Sequence, residues 1–126
     1  MTATRLLVSI VDDDESIRES LPDLLRQFGF AAQAFPSAEA FLASEFVNET
    51  RCLILDIAMP GMSGRDLQRA LKSRPQHIPI IFITASEDEG VRTRLLAEGG
   101  VECLFKPFSQ TALLDALNAA FRRKQP

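Results

Sequence analysis

Reactive polar side chains follow four short apolar runs that lie far apart in the chain. The three acids Asp12–Asp14 come directly after the first run, and Asp56 follows the second. Thr84 follows the third run and Lys106 the fourth. Short β-branched runs separated by segments of helical periodicity predict buried parallel strands. Groups at the carboxyl ends of such strands meet in one crevice. We therefore expect a site that binds a divalent cation and handles a phosphoryl group.

The alternation of apolar runs and helical segments predicts the fold class. The predicted strands are Leu6–Val11, Ala31–Phe35, Cys52–Leu55, Ile80–Ile83 and Val101–Phe105. Five strands that alternate with five helices indicate an α/β, flavodoxin-like, doubly wound parallel sheet with helices on both faces. The strand order common in such sheets, 2-1-3-4-5, is predicted here.

The start of the first helix has two readings. Ser16 with Glu19 fits a capping box, while Asp14 could also be the cap. Pro22 lies inside this helix and lacks a backbone donor, so we expect a kink or a shortened first turn.

Later helices begin at recognisable caps. Ser37 and Ser63 each precede a helical pattern, and Ser86 with Glu89 fits another capping box. These positions predict where the second, third and fourth helices start.

Length and composition limit the class of protein. The chain has 126 residues, which predicts a single domain over residues 1–126, and its net charge of −3 gives no reason to expect nucleic-acid binding. No run is long enough for a membrane span, and no signal peptide is visible. Cys52 and Cys103 lack metal-type spacing and predict reduced, buried thiols. A cytoplasmic protein is expected.

Other ligands fit the crevice less well. A bound flavin or nucleotide phosphate favours a glycine-rich or hydroxyl-rich loop after the first strand, whereas this chain has four consecutive acids at residues 12–15. The scattered cysteines and the single histidine, His77, do not favour a zinc site. His77 lies between prolines and is expected to be an exposed loop residue, which argues against a hydrolase.

The chain resembles the receiver domain of bacterial two-component response regulators over essentially its whole length. The residues that carry this resemblance are Val11–Asp14, Leu55–Gly64, Ile83–Ala85 and Phe105–Phe108. The closer resemblance is to receivers of the nitrogen-fixation type, on the stretches Ile17–Phe30, Phe41–Leu42 and Ala112–Leu117.

The resemblance implies a phosphoryl acceptor and a Mg²⁺ site. Asp56 corresponds to the nucleophile that takes the phosphoryl group from a phosphohistidine. Asp13 corresponds to a direct Mg²⁺ ligand and Asp12 to one that acts largely through water, while Asp56 and the backbone carbonyl of Ala58 complete the protein ligands.

The resemblance also assigns the remaining site residues. Lys106 and the hydroxyl of Thr84 would contact phosphoryl oxygens, and a cis Lys106–Pro107 bond would aim the lysine inward. Ala58 and Ser86 occupy the positions that help or hinder the water that hydrolyses the phosphoryl group. Cys103 stands where relatives commonly have an aromatic residue, so we expect activation to change the surface around Glu87–Gly99 more than that around Cys103.

Together these features imply that the chain is a signalling switch with slow autodephosphorylation and not a turnover enzyme. The implied partners are a sensor histidine kinase, an output domain or protein partner, and a second copy of the chain in a phosphorylation-dependent homodimer. The chain has no basic helix-turn-helix segment, so direct DNA binding is not expected. The alternative function is a phosphorelay intermediate that passes the phosphoryl group to a histidine phosphotransfer protein.

Overall fold

A computed structural model of the chain describes residues 5–75, 77–86 and 88–122. Parts of the predicted 1–126 domain therefore lie outside the described residues, as does Glu87 at the start of the predicted responsive surface. None of the helices in the described ranges combines the length and apolar character that crossing a bilayer requires.

Five parallel strands form one sheet in the order β2-β1-β3-β4-β5, which confirms the predicted fold class and strand order. The strands are β1 (Leu7–Val11), β2 (Ala31–Phe35), β3 (Thr50–Asp56), β4 (Ile80–Thr84) and β5 (Glu102–Phe105). The helices are α1 (Glu15–Gln27), α2 (Ala38–Ala43), α3 (Gly64–Lys72), α4 (Glu89–Ala97) and α5 (Gln110–Arg122).

Two apolar cores lie on opposite faces of the sheet because successive strand residues point to opposite sides. In β3, Ile54 packs with residues of α1 and α5 on one face. Its neighbours Leu53 and Leu55 pack with residues of α2, α3 and α4 on the other face. The central strands are buried on both faces, which explains their continuous apolar runs.

The strand ends differ slightly from the prediction. β3 and β4 each extend one residue further than expected, so Asp56 and Thr84 are the last residues of their strands. β1 begins at Leu7 and β5 at Glu102, each one residue later than predicted. A short 3₁₀ turn at Val47–Glu49 precedes β3 and was not predicted.

The first helix is capped by Asp14, and the capping box at Ser16 and Glu19 is wrong. The Asp14 carboxylate accepts a hydrogen bond from the backbone N–H of Ser16 at 2.9 Å, so the helix begins at Glu15. It continues through the buried Pro22 to Gln27, so its first turn is not shortened, and the alternative expectation of a kink at Pro22 stays a prediction.

The capping box predicted at Ser86 and Glu89 is wrong as well. Asp88 caps α4 by accepting hydrogen bonds from the N–H groups of Gly90 and Val91. The Ser86 N–H instead donates to the Thr84 hydroxyl oxygen at 3.1 Å, which keeps Ser86 in the loop before the helix. The predicted caps at Ser37 and Ser63 are confirmed.

Ion pairs link both ends of α4 to neighbouring elements. Leu95 is the one buried residue of this helix in the described part of the chain. Arg92 pairs with Glu102 of β5 at 2.7 Å, and Glu98, just after the helix, pairs with Arg65 of α3 at 2.9 Å. Polar contacts therefore contribute much of the attachment of α4.

Candidate functional site

Four of the predicted residues lie at one edge of the sheet. Asp12 directly follows β1, Asp56 ends β3, Thr84 ends β4 and Lys106 directly follows β5. Because these parallel strands are neighbours, their carboxyl ends bring the four side chains to the same crevice. Asp12, Asp56 and Thr84 are buried, whereas the adjacent Asp13 is exposed.

Three carboxylates form a tight cluster in this crevice. One ligand oxygen from each of Asp12, Asp13 and Asp56 lies within 4.8 Å of the others. Burial of Asp56, the charge of Asp12 and a hydrogen bond with it raise the pKa of the Asp56 carboxyl to about 7, against the opposing effect of Lys106. Burial and the neighbouring acid therefore disfavour the ionised form of Asp56.

Lys106 supplies a cation beside the acids. Its Nζ lies 2.9 Å from Asp12 Oδ2 and 3.8 Å from Asp56 Oδ1. Burial alone would lower the lysine pKa, but the hydrogen bond and charge of Asp12, with the charges of Asp56 and Asp14, raise it. Lys106 is therefore a charged ammonium group. The predicted cis Lys106–Pro107 bond is confirmed.

The donor set fits a hard divalent cation. Asp12 Oδ1 accepts from the Asp14 N–H at 2.9 Å, and the buried Oδ2 has the Lys106 ammonium as its partner, 2.9 Å away. Oxygens that share one Mg²⁺ at ~2.1 Å lie at most ~4.2 Å apart. The observed spacing of the acids needs only a small contraction to meet this limit.

Two loops complete the crevice. Ala58 is exposed on the loop after β3, and among the described residues no hydrogen-bond donor contacts its carbonyl. The Thr84 hydroxyl oxygen accepts from the Ser86 N–H, which leaves the hydroxyl hydrogen available to a ligand. Both groups can therefore serve an incoming molecule.

Two contacts near the crevice were missed by the sequence analysis. Arg18, on the first turn of α1, donates to the backbone carbonyl of Asp12 at 3.1 Å. Glu39 of α2 accepts from the Met62 N–H at 3.0 Å, on the loop that carries Ala58. The position of Arg18 four residues after the cap was a usable signal, whereas nothing local pairs Glu39 with Met62.

The residues set aside on sequence grounds lie elsewhere. His77 is exposed in the connection between α3 and β4, as predicted. Cys52 and Cys103 are free and buried, and burial raises the pKa of the Cys52 thiol to about 12. Neither cysteine is a reactive thiolate at neutral pH.

An open groove of about 740 Å³ borders the crevice. Ile17, Leu21 and Leu24 of α1 form one wall, and Pro107 and Phe108 lie opposite. Lys106 also lines the groove and pairs with Asp12, so the groove lies beside the acidic cluster. A helix or loop of a partner lying there could reach the carboxylates.

Comparison with known proteins agrees with this arrangement. A family model described as the response regulator receiver domain matches residues 8–118. The chain is 44% identical over 121 residues to nodulation protein W of Bradyrhizobium diazoefficiens, covering 96% of this chain and 53% of that protein. It is 40% identical over 119 residues to the transcriptional regulatory protein FixJ of Rhizobium meliloti, covering 93% of this chain and 57% of FixJ.

The solved structures include a close match in shape. The crystal structure of FixJ-N superposes with a TM-score of 0.83 at 37% identity, covering 100% of this chain and 99% of that one. The similarity to FixJ confirms the expected likeness to nitrogen-fixation-type receivers. The chain spans about half the length of the curated relatives it matches.

Proposed function

The chain belongs to the response regulator receiver domains, and we propose that it accepts a phosphoryl group on Asp56 from the phosphohistidine of a sensor kinase. The observation that carries this proposal is the cluster of three carboxylates beside one ammonium group and one hydroxyl, at the ends of adjacent strands. The resulting change of surface controls an output partner.

Asp56 acts as the nucleophile. A carboxylate oxygen attacks phosphorus, the bond from oxygen to phosphorus forms, and the bond from the histidine nitrogen to phosphorus breaks. The leaving imidazole keeps the electron pair of that bond and takes up a proton. Attack requires the ionised carboxylate, so the raised pKa of Asp56 in the metal-free site makes added positive charge favourable.

Asp13 and Asp56 would hold Mg²⁺ directly, together with the Ala58 carbonyl, and Asp12 would act largely through water. When bound, the ion offsets the repulsion among the carboxylates and the charge of the phosphoryl oxygens. The cluster of three carboxylates supports this assignment, as does the Ala58 carbonyl, which accepts no hydrogen bond from the described residues.

Lys106 and Thr84 stabilise the transferred group. The Lys106 ammonium, 3.8 Å from Asp56 Oδ1, would contact an oxygen of a phosphoryl group carried on Asp56. The Thr84 hydroxyl can donate to a second oxygen while it still accepts from Ser86. Phosphoryl transfer depends on such positioning and charge neutralisation more than on further covalent steps.

The groove beside the crevice suits the helix that carries the phosphohistidine. Its apolar wall on α1 can pack against an amphipathic helix. Lys106 lines the groove and lies 3.8 Å from Asp56 Oδ1, so a side chain bound beside Lys106 would be near the acceptor. Leu24→Glu should slow transfer from an autophosphorylated kinase that is active on the wild type, but leave phosphorylation by acetyl phosphate unchanged. Equal slowing with both donors would contradict this docking mode.

The proposed output is based on the names of the relatives. FixJ is named a transcriptional regulatory protein, and this chain corresponds to about half its length. We infer that phosphorylation controls a transcriptional output through protein contacts. The alternative, a phosphorelay role, predicts rapid transfer from the phosphorylated chain to a histidine phosphotransfer protein, and observing that transfer would contradict the proposed output.

Intact-mass measurement tests the acceptor. Acetyl phosphate with Mg²⁺ should add one phosphoryl group to the wild type and none to Asp56→Asn. Asp115→Asn is the matched control, because Asp115 is an exposed acid on α5. Equal modification of Asp56→Asn and the wild type would overturn the assignment.

Titration of Mg²⁺ tests the metal site. Asp13→Ala should weaken binding far more than Glu15→Ala, because Asp13 belongs to the carboxylate cluster and Glu15 is the first residue of α1. Both changes remove one negative charge, so long-range electrostatic effects are matched. The same affinity in both variants would remove Asp13 from the ligands.

A further inference from the structure

The loop between β3 and α3 carries one of the proposed metal ligands, the Ala58 carbonyl. Backbone hydrogen bonds hold both ends of this loop. The Ile57 N–H donates to Ile83 O at 3.2 Å, and the Gly64 N–H donates to Ile57 O at 3.0 Å. Of the residues between these anchors, 58–62 form irregular backbone and Ser63 caps α3.

Within residues 58–62, one hydrogen bond to another element is seen among the described contacts. The Met62 N–H donates to Glu39 Oε2 at 3.0 Å across 23 residues of sequence. Gly61 has a φ of +75°, and a Cβ at this position would lie 2.8 Å from the same Glu39 oxygen. The absence of a side chain at Gly61 thus lets the Glu39 carboxylate lie against the loop backbone.

Packing of the loop side chains does not by itself orient the Ala58 carbonyl. Met59 is buried and Met62 is partly buried in the core on the α2–α4 face, so apolar packing holds the loop near the sheet. Methionine is flexible and adapts to irregular spaces. A directional hydrogen bond therefore specifies the backbone orientation better than this packing does.

Building on the proposed function, we propose that Glu39 is a positioning residue for the metal site. By accepting from the Met62 N–H, it holds residues 58–62 so that the Ala58 carbonyl faces the carboxylate cluster. Glu39 touches neither the ion nor the phosphoryl group and acts through the loop. Its essential property is a hydrogen-bond acceptor at this distance, and its charge is secondary.

Amide exchange in the metal-free protein tests the hydrogen bond itself. The Met62 N–H should exchange faster in Glu39→Ala than in the wild type and should stay protected in Glu39→Gln, whose amide oxygen is also an acceptor. Unchanged exchange in Glu39→Ala would overturn the proposal.

Calorimetric Mg²⁺ titration tests the consequence for the site. Glu39→Ala should bind Mg²⁺ about three- to tenfold more weakly, the effect of one hydrogen bond of ordinary net strength, and Glu39→Gln should stay within about twofold of the wild type. Glu45→Ala, which removes an exposed acid just after α2, controls for net charge. Denaturation should show that all four proteins are fully folded under the titration conditions, with Glu39→Ala losing no more stability than one hydrogen bond supplies.

The outcomes separate this role from the proposed function. Weakening by Glu39→Gln as large as that by Glu39→Ala, or weakening by Glu45→Ala, would assign the effect to charge and overturn positioning. Wild-type affinity in Glu39→Ala alongside weakened binding in Asp13→Ala would overturn only the role of Glu39. An undiminished affinity in Asp13→Ala would contradict the proposed metal ligands and the positioning role together.

Discussion

Gly64→Ala should damage the phosphoryl site through the backbone of Asp56. Gly64 begins α3, and a Cβ built there would lie 2.5 Å from the carbonyl oxygen of Asp56 and 3.0 Å from the Cα of Ile57. Non-bonded carbon atoms prefer separations of ~3.5–4.0 Å. Both neighbours are backbone atoms, so the start of α3 or the end of β3 must move by up to about 1 Å.

Two effects of different size follow. Overpacking of this kind destabilises a protein by about 1–3 kcal/mol. Displacing a reacting group by ~1 Å reduces a rate by ~100-fold. We therefore expect Gly64→Ala to fold, to lose modest stability, and to be phosphorylated by acetyl phosphate about 100-fold more slowly than the wild type.

Gly100→Ala is the matched control. A Cβ at Gly100 would lie 2.9 Å from the Phe82 ring and 3.0 Å from the Leu95 carbonyl oxygen, but Gly100 precedes β5, at the opposite end of that strand from Lys106. Urea denaturation should show comparable loss of stability in both variants, and the phosphorylation rate should fall only in Gly64→Ala. Equal rates in the two variants would refute the reasoning.

Three further outcomes are expected. Ala58→Asn should shorten the lifetime of the phosphorylated form, because an amide can orient the attacking water and a methyl group cannot; a longer lifetime by mass measurement would contradict this. With divalent cations removed, Asp56→Asn should unfold with a free energy roughly 2–4 kcal/mol higher than the wild type at pH 8. This difference in unfolding free energy should shrink as the pH falls from about 7 toward 3.8. The reason is the raised pKa of Asp56, because of which the folded wild type loses stability as the pH rises through this window. A difference independent of pH would contradict the prediction. With a bound phosphoryl mimic, amide exchange should change more over residues 89–97 than over 101–104. Cys103 is already buried and has little surface area to withdraw from solvent. The reverse pattern would mean that Cys103 acts as the aromatic residue of relatives does.

The sheet, and the polar residues at the ends of its strands, could be predicted because a buried strand has a recognisable sequence pattern. A strand covered on both faces needs a continuous apolar run, and the first polar residue after such a run marks the strand end. This is why Asp56 and Thr84 could be assigned to one edge within a single residue. The order of the strands followed from a general preference of doubly wound folds.

Local sequence alone could not identify Asp14 and Asp88 as the residues that cap α1 and α4. Serine and aspartate are both good caps, and Ser16 and Ser86 lie only two residues away from them in each case. The choice near Ser86 depends on its N–H donating to the Thr84 hydroxyl, a contact that exists only once β4 has ended there.

The contact of Glu39 with Met62 was beyond sequence reasoning for a different reason. The two residues are 23 positions apart and neither lies in a recognisable motif with the other. Their proximity results from packing α2 and α3 on the same face of the sheet.

The two ion pairs that link α4 to β5 and α3 make the packing of this helix sensitive to salt. The side chains of both pairs are about a third exposed, so dissolved ions reach them. The Debye length shortens from ~30 Å at 0.01 M to ~8 Å at 0.15 M ionic strength, and partly exposed pairs weaken accordingly. Leu95 belongs to the core on the α2–α4 face, so local opening of α4 would expose part of that core. A rise in ionic strength should therefore make local opening of α4 more frequent.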